Sequence, residues 1–329
     1  MPTPIGPRPF GTQPSQLDQT PDLFIDVSDD ANSLNLFRVP DRTPLGNPNN
    51  LQIKDLEHLT SIPSCGLLYP DVHIARTVEQ TLCTKLITLY GRGRRITRAH
   101  GVSVDWDAAI DRRVWTTNID TVLFIAALER LGIFDDTSLK NIVEVGVGGG
   151  HITATFANRM PWLSALFFTD ISPTALQCAL RNVSYQLAGF KPHVFPYLGK
   201  GIRHLPGMHD LLICNPPYIP IAPHQFQDET DPYRGTGLLK ELITMGHKKT
   251  KRLIFSVSSM AMNDVRQYAK EAGKQLKVHE TSHEIPLKIE NIDHEWAQWL
   301  VNAGLLEERD YQQYHYRYWH RLHTIEVLS

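Results

Sequence analysis

Short apolar runs of strand length recur along the chain, and polar or glycine-rich segments separate them. Three runs have the length and composition of buried parallel strands, namely Asn141–Val145, Ala165–Thr169 and Leu211–Cys214. Helical patterns follow the first two, at His151–Arg159 and from Ser172 and Pro173, a pair that suits a helix N-cap and first turn. Strands that alternate with helices predict an α/β fold with a mainly parallel sheet.

Further elements are predicted on either side of this region. The run Arg252–Val257 is typical of another buried strand. Helical spacing predicts helices at Val78–Tyr90, Val122–Leu131 and Asn291–Ala303, the last of them closed by Gly304.

Composition narrows the class of protein. With 329 residues, 42% of them hydrophobic, and a net charge of −2, the chain is long enough for one large domain and a smaller one. No apolar run reaches the roughly 18 residues of a membrane span, and the first residues lack a signal-peptide core, so a cytoplasmic protein without a membrane partner is expected. The cysteines form no Cys-x-x-Cys pair, so neither a metal site nor a disulfide framework is predicted: Cys65, Cys83, Cys178 and Cys214.

The chain divides into three parts. Residues 1–22 are rich in proline and are predicted to form an extended arm. Residues 23–112 are predicted to form a smaller accessory domain. Residues 113–329 are predicted to form the larger domain, with an insert at about residues 281–312.

A glycine-rich loop joins the first predicted strand to its helix. Gly146, Gly148 and Gly150 let the backbone turn tightly and approach a ligand, and free amides at a helix start favour a polar or charged group. The dinucleotide fingerprint would need a third glycine at position 151, where this chain has His151, so the spacing disfavours an NAD-dependent oxidoreductase. Asp170, at the end of the next strand, can accept hydrogen bonds from both ribose hydroxyls of a nucleoside cofactor.

The tetrapeptide Asn215, Pro216, Pro217 and Tyr218 directly follows the strand Leu211–Cys214. Two consecutive prolines fix the backbone and remove two amide donors, so carbonyl oxygens lie beside the Asn215 side chain and an aromatic face. Such a pocket suits a flat amide or amine. A turn that merely ends the strand is the alternative.

Three segments in this order resemble the class I methyltransferases that use S-adenosylmethionine: 144–150, 170–176 and 210–220. The longer string Asn-Pro-Pro-Tyr-Ile-Pro, residues 215–220, is most similar to the HemK-type group, the release-factor glutamine methyltransferases. The resemblance covers roughly residues 115–285. It implies a Rossmann-like fold with a seven-stranded, mainly parallel sheet and helices on both faces, and a protein glutamine as methyl acceptor. The shorter Asn-Pro-Pro-Tyr string also occurs in methyltransferases of nucleic-acid base amines, so RNA or DNA remains the alternative substrate.

The resemblance also implies roles for individual residues. Four residues would form the methionine side of the cofactor site: Glu144, Gly146, Gly148 and Gly150. Asp170 would bind the ribose, and Ile171 would lie against the adenine. Asn215 and the carbonyl of Pro216 would accept hydrogen bonds from the substrate NH2, and Tyr218 would pack on its plane. Family members carry a substrate-recognition domain before the cofactor core, which implies that role for residues 23–112.

The chain departs from the family pattern at several positions. Lys200 follows Gly199 where many relatives have an Asp that meets the adenine amine. The segment Thr116–Thr121 stands where the family has Pro-Arg-Pro-Glu-Thr-Glu, and Ala222–Thr230 matches the family's acidic insert poorly. These differences indicate a divergent member.

Two segments offer possible substrate surfaces. One is rich in arginine and could bind phosphate or form a solvated face: Lys85, Arg92, Arg94, Arg95, Arg98, Arg112 and Arg113. The other, Tyr311–His323, interleaves aromatic and basic residues that could stack on bases. Its later part alternates as a strand does, which favours core packing. A catalytically inactive cofactor-binding module is the remaining alternative, disfavoured by the intact glycines, Asp170 and Asn215.

Overall fold

The structure is a computed structural model that describes residues 22–28, 31–40, 47–67, 93–187, 192–220, 235–287, 294–310 and 316–328. Before residue 110 it contains a five-stranded sheet in the order β3-β2-β1-β4-β5. The strands are β1 Leu23–Val27, β2 Ser33–Arg38, β3 Glu57–Pro63, β4 Arg94–Ala99 and β5 Val102–Asp107. Strands β1 and β4 run parallel, whereas the other neighbours are antiparallel. The hydrophobic pattern of this region did not predict the sheet.

A tight turn joins β4 to β5. His100 and Gly101 have φ angles of 50° and 75°, the left-handed values of a two-residue hairpin turn whose twist matches that of the strands. The pair Ala99 and Val102 closes the ladder directly beside this turn.

Strands and helices alternate from residue 119 onward. They are α1 Ile119–Arg130, β6 Asn141–Val145, α2 His151–Arg159, β7 Ala165–Asp170, α3 Pro173–Ser184, β8 His193–Leu198, β9 His209–Cys214, α4 Gly237–Met245, β10 Thr250–Ser258, α5 Met262–Glu271, β11 Gln275–Thr281, β12 Ile285–Leu287, α6 His294–Asn302, β13 Glu307–Glu308, β14 Tyr318–His320 and β15 Leu322–Leu328. Seven strands form one sheet in the order β11-β15-β10-β9-β6-β7-β8. Strands β6 to β10 are parallel, and β15 is antiparallel to both neighbours.

The predicted α/β fold with a seven-stranded, mainly parallel sheet is therefore confirmed. Strand β6 and helix α2 have the predicted bounds, whereas α1 begins three residues before the predicted Val122. The predicted helix at 78–90 lies outside the described residues, as do residues 1–21 of the arm. The domain boundaries near residues 22 and 112 stay predictions.

Helices cover both faces of the large sheet. Helices α1 and α2 pack on one face through Phe124, Ile125 and Phe156, and helices α4 and α5 pack on the other through Leu242 and Val265. Helix α1 is buried from Ile119 to Leu128 because the side that faces away from the large sheet contacts the five-stranded sheet. A helix that is apolar all round fits such a position between two sheets.

A second, small sheet overlaps the region predicted as an insert at about residues 281–312 and extends past it to His320. Strands β12, β14 and β13 make this three-stranded sheet, and α6 packs on it. The bounds of the insert stay a prediction. The apolar cluster of the small sheet and α6 includes Trp296, Leu300 and Tyr318, and Tyr218 and Ile219 pack against that cluster. The insert thus borders the loop that carries the tetrapeptide.

Candidate functional site

The candidate site lies at the carboxyl ends of β6, β7 and β9. Because these strands are parallel, their ends share one edge of the sheet. Val145 pairs with Thr169 on one side and with Cys214 on the other. The residues that follow these three therefore begin at one level: Gly146, Asp170 and Asn215.

The glycine loop depends on its glycines. Gly146, Gly148 and Gly150 have φ angles of 73°, 51° and 85°. A Cβ atom on Gly148 would lie 2.6 Å from the carbonyl oxygen of Trp115, and one on Gly150 would lie 2.7 Å from Cα of Ala179. Backbone approach as well as conformation therefore requires glycine at these two positions.

Asp170 is tied to the glycine loop through its carboxylate. One oxygen accepts from the backbone N–H of Gly148 at 3.1 Å, and the other accepts from the N–H of Ser172 at 2.9 Å. Burial raises the pKa of Asp170, while these backbone donors oppose that shift. A carboxylate has about four acceptor positions, so capacity remains for a further donor beside these backbone groups and the N–H of Ile171. Ile171, 44% exposed, lies next to it. A carboxylate acceptor beside an exposed aliphatic residue fits a ribose and an adjoining base.

Glu144 is a buried carboxylic acid beneath the loop. Its Oε2 accepts from the backbone N–H of Thr153 at 2.9 Å and from the Thr153 hydroxyl. Burial raises the pKa of Glu144 to about 8, against the effect of the Thr153 hydrogen bonds and with some help from the charge of Asp170. A neighbouring cation, such as the ammonium group of a methionine moiety, would favour its ionised form.

Asn215 is held from both ends of its side-chain amide. Its Nδ2 donates to Oδ2 of Asp120 at 3.2 Å, and the hydroxyl of Ser256 in β10 donates to its Oδ1. The hydroxyl of Tyr218 donates to the same Asp120 oxygen at 3.3 Å. Two side chains of the tetrapeptide thus share one carboxylate.

Asp120 was missed by sequence reasoning as a site residue. It lies in the first turn of α1, is 3% exposed, and also accepts from the N–H of Thr121 at 2.9 Å. Burial raises its pKa, and the hydrogen bond from Asn215 is the largest opposing effect. A carboxylate at the start of a helix that is otherwise apolar was the available signal, because such a group is seldom buried without partners.

His151 connects the glycine loop to its surroundings. Its Nδ1 lies 2.8 Å from the hydroxyl of Thr117, and its Nε2 lies 3.2 Å from the carbonyl oxygen of Ala99. Burial lowers the pKa of His151 to about 4. The position at which a dinucleotide fingerprint has glycine is therefore filled by a neutral, buried ring.

The loop after β8 adjoins the end of β7. The N–H of Gly199 donates to the carbonyl oxygen of Asp170 at 3.0 Å, while Lys200 is exposed. His204 lies 2.9 Å from the hydroxyl of Thr169, and its ring would collide with a side chain on Gly199. His204 was not foreseen from the sequence.

The arginine-rich segment is neither a phosphate surface nor a solvated face at its central positions. Arg94 and Arg95 are 7% and 5% exposed. Arg94 forms a two-point pair with Asp105, at 3.0 and 2.7 Å, and Arg95 lies over the ring of Trp106. Arg98 donates to the carbonyl oxygen of Leu51 at 2.8 Å. Residues Lys85 and Arg92 of this segment lie outside the described residues.

Core packing is confirmed for the described end of the aromatic segment. Tyr318 and His320 are 1% and 4% exposed and lie in β14. The Nδ1 of His320 lies 2.9 Å from the hydroxyl of Ser258, and burial lowers the His320 pKa to about 3. Tyr311 and Tyr314 lie outside the described residues.

In the part of the chain that the structure describes, no three histidine, cysteine, aspartate or glutamate side chains are grouped so that they would hold a metal ion. Among the same residues, no helix combines the length and the apolar character that crossing a membrane requires.

In the comparison with known proteins, residues 119–228 match the model of the family described as methyltransferase small domain. The chain is 36% identical over 102 residues to the release factor glutamine methyltransferase of Moorella thermoacetica. This match covers 31% of this chain and 34% of that protein. It is 29% identical over 114 residues to methyltransferase HEMK2 of Mus musculus, covering 35% of this chain and 53% of that protein. The chain thus spans about a third to a half of these two relatives.

Solved structures with similarity to the chain include Trm5b from Pyrococcus abyssi, at 13% identity and a TM-score of 0.42, covering 90% of this chain and 63% of that one. TYW2 from M. jannaschii in complex with AdoMet is 14% identical, with a TM-score of 0.41, covering 71% of this chain and 86% of that one. The family match over residues 119–228 and the two sequence relatives show that this part of the chain is similar to methyltransferases, the HemK-type proteins among them.

Proposed function

We propose that this protein transfers a methyl group from S-adenosylmethionine to a planar amide or amine nitrogen, with a protein glutamine side chain as the acceptor. One observation carries the proposal. The side-chain amide of Asn215 is held between Asp120 and Ser256 at the strand edge that also carries the glycine loop and Asp170. The names of the relatives, release factor glutamine methyltransferase among them, support the choice of acceptor.

The cofactor, when bound, supplies an electrophilic methyl group on a positively charged sulfur. The residues of this chain suit its parts. Asp170 has acceptor capacity for the ribose hydroxyls, Ile171 offers an exposed apolar surface for the base, and Glu144 offers a carboxyl group near the glycine loop. These assignments are the ones that the resemblance to class I methyltransferases implies, and the chemistry of each group supports them.

An amide nitrogen is a poor nucleophile because its lone pair is delocalised into the carbonyl group. An acceptor aimed at its N–H protons raises the electron density on nitrogen and orients the group. Asn215 Oδ1 and the carbonyl of Pro216 would serve as these acceptors. The acceptor nitrogen would bond to the methyl carbon, the electron pair of the broken carbon–sulfur bond would stay on sulfur as a neutral thioether, and one N–H proton would leave to solvent.

A protein acceptor is favoured over a nucleic acid by the fate of the candidate base- and phosphate-binding residues. Arg94 and Arg95 are buried and engaged by Asp105 and Trp106. Tyr318 is buried in the cluster of the insert. Phosphate contacts and base stacking both need exposed side chains, so these residues do not supply them.

Labelled S-adenosylmethionine added to a purified release factor, and separately to total RNA and to a cell extract, tests the proposal. We expect label in the release factor with the wild type, none with Asn215→Ala, and full label with Asn158→Ala, which changes an exposed asparagine on α2. Extract label that is lost to protease but kept after nuclease supports a protein acceptor. Label lost to nuclease, or Asn215-dependent label in RNA alone, would overturn it.

A further inference from the structure

We propose that Asp120 and Ser256 are positioning residues that fix which way the Asn215 amide points, and so make the site selective for an acceptor that presents an N–H. The inference rests on the proposed methyl transfer. The two ends of an asparagine amide have similar shapes but opposite hydrogen-bonding character. The end of the Asn215 amide that faces the substrate nitrogen therefore decides whether the substrate must donate or accept a hydrogen bond.

Asp120 sets one end. The Asp120 carboxyl group already accepts from the Thr121 N–H at one oxygen and from the Tyr218 hydroxyl at the other, so the Asn215 atom that lies 3.2 Å from Oδ2 is the donor Nδ2. A flipped Asn215 would bring two acceptor oxygens together at this point. The carboxylate cannot swing away, because Thr121 and Tyr218 also donate to it and only 3% of Asp120 is exposed.

Ser256 sets the other end. Its hydroxyl donates to Asn215 Oδ1 from β10, the strand next to β9, and Ser256 is 1% exposed. An amide oxygen has two lone pairs, so one remains for a further donor. A substrate group with an N–H can donate to this lone pair, whereas a substrate group that offers only oxygen lone pairs cannot.

The backbone around these side chains is fixed by packing. Asp120 lies on α1, which is buried between two sheets, and Ser256 lies in a central strand. Tyr218 contacts the apolar clusters of the five-stranded sheet, of the large sheet and of the insert. Groups held in this way can maintain an orientation without rearranging during the reaction.

The test uses protein labelled with 15N at asparagine, and variants Asp120→Asn and Ser256→Ala, with Asp135→Asn as an exposed control. The side-chain NH2 signals of Asn215 are assigned by their loss in Asn215→Ala. We expect them to shift strongly in Asp120→Asn, weakly in Ser256→Ala and not at all in Asp135→Asn. The isosteric Asp120→Asn should lower kcat on the order of 100-fold, the size typical of losing one aligned group. S-adenosylmethionine affinity and the melting temperature should stay near those of the wild type.

Selectivity supplies the second readout. With a release factor and its glutamine-to-glutamate variant as acceptors, the wild type should prefer glutamine, and Asp120→Asn should lose most of that preference. Unchanged Asn215 signals, or wild-type kcat and preference in a folded Asp120→Asn protein, would overturn the inference. Shifted signals in a protein whose wild type transfers no methyl group would overturn the proposed function while supporting the contact.

Discussion

The imidazole of His151 accepts a hydrogen bond from the hydroxyl of Thr117. The other ring nitrogen faces the carbonyl oxygen of Ala99 at 3.2 Å, and a carbonyl only accepts, so Nε2 carries the proton and Nδ1 is the acceptor. His151 follows the glycine loop, Thr117 precedes α1, and Ala99 ends β4. A single neutral ring therefore joins the candidate cofactor loop, the start of the helix that carries Asp120, and the five-stranded sheet.

This buried histidine predicts a loss of stability in acid. Burial lowers its native pKa to about 4, against 6.5 for an ordinary histidine. The unfolded chain therefore takes up a proton below pH 6.5, whereas the native ring takes it up only near pH 4. The contribution of the neutral ring to the free energy of unfolding is complete above pH 6.5. It is lost as the pH falls from 6.5 to 4, by about 3 kcal/mol in total.

Urea unfolding of the wild type and His151→Gln between pH 4 and 7 measures this effect. Glutamine keeps one donor and one acceptor but does not titrate, so its stability should fall less steeply with acid. His193→Gln, at an exposed position, should follow the wild type. If the free energy of unfolding falls equally steeply with acid in His151→Gln and in the wild type, the His151 pKa is not lowered in the folded protein.

Two glycines of the loop should respond differently to alanine. Gly146→Ala adds strain at a φ of 73°, but the new Cβ has no atom within 4 Å, so a loss of about 1–2 kcal/mol is expected. Gly148→Ala adds similar strain and also places Cβ 2.6 Å from the Trp115 carbonyl oxygen. We expect a larger loss of stability than for Gly146→Ala. Because the new Cβ would displace the loop, we also expect S-adenosylmethionine to bind on the order of tenfold more weakly. Thermal unfolding and calorimetry measure both, and equal effects of the two variants would contradict the close approach.

The parts of the fold that the sequence predicted are those set by local chemistry. The bounds of β6 and α2 follow from an apolar run and a glycine loop, and Ser172 caps α3 as expected, accepting from the N–H of Ala175. Asp120 was missed because its contact with Asn215 joins residues 95 positions apart. Nothing in the local pattern of either segment indicates the other.

The arginine-rich segment was misread for a related reason. Charge counted along a chain takes no account of the facing strand. Arg94 meets Asp105 only because β4 and β5 fold back on each other at the turn of His100 and Gly101. Once paired, the two charges can be buried together.

Removing Arg94 should therefore affect stability rather than nucleic-acid binding. Arg94→Ala removes the two-point partner of the Asp105 carboxylate, which is 2% exposed and keeps Arg181 nearby, with Nε at 3.8 Å. A loss of about 3 kcal/mol, the low end for a broken buried pair, is expected. Arg112→Ala, at an exposed position, should change little. Chemical denaturation compares the two variants, and a gel-shift assay with total RNA runs beside it. A stable Arg94→Ala protein with reduced RNA affinity would restore the phosphate-surface hypothesis.

Glu144 should show a conflict between stability and cofactor binding. Its native pKa of about 8, against 4.5 for an ordinary glutamate, means that the folded protein holds a proton that the unfolded chain has lost. The resulting stability is complete below pH 4.5 and is lost as the pH rises through 8, by about 5 kcal/mol in total.

Glutamine resembles the protonated acid, so Glu144→Gln should match the wild type at pH 5 and exceed its melting temperature at pH 9. If the carboxylate faces the cofactor's ammonium group as proposed, the same variant should bind S-adenosylmethionine about tenfold more weakly at neutral pH, a cost of about 1.4 kcal/mol. Glu271→Gln, an exposed change on α5, serves as the control in both measurements. A variant that gains no stability in alkali would contradict the raised pKa, whereas one that gains stability but binds the cofactor normally would remove Glu144 from the methionine side of the site.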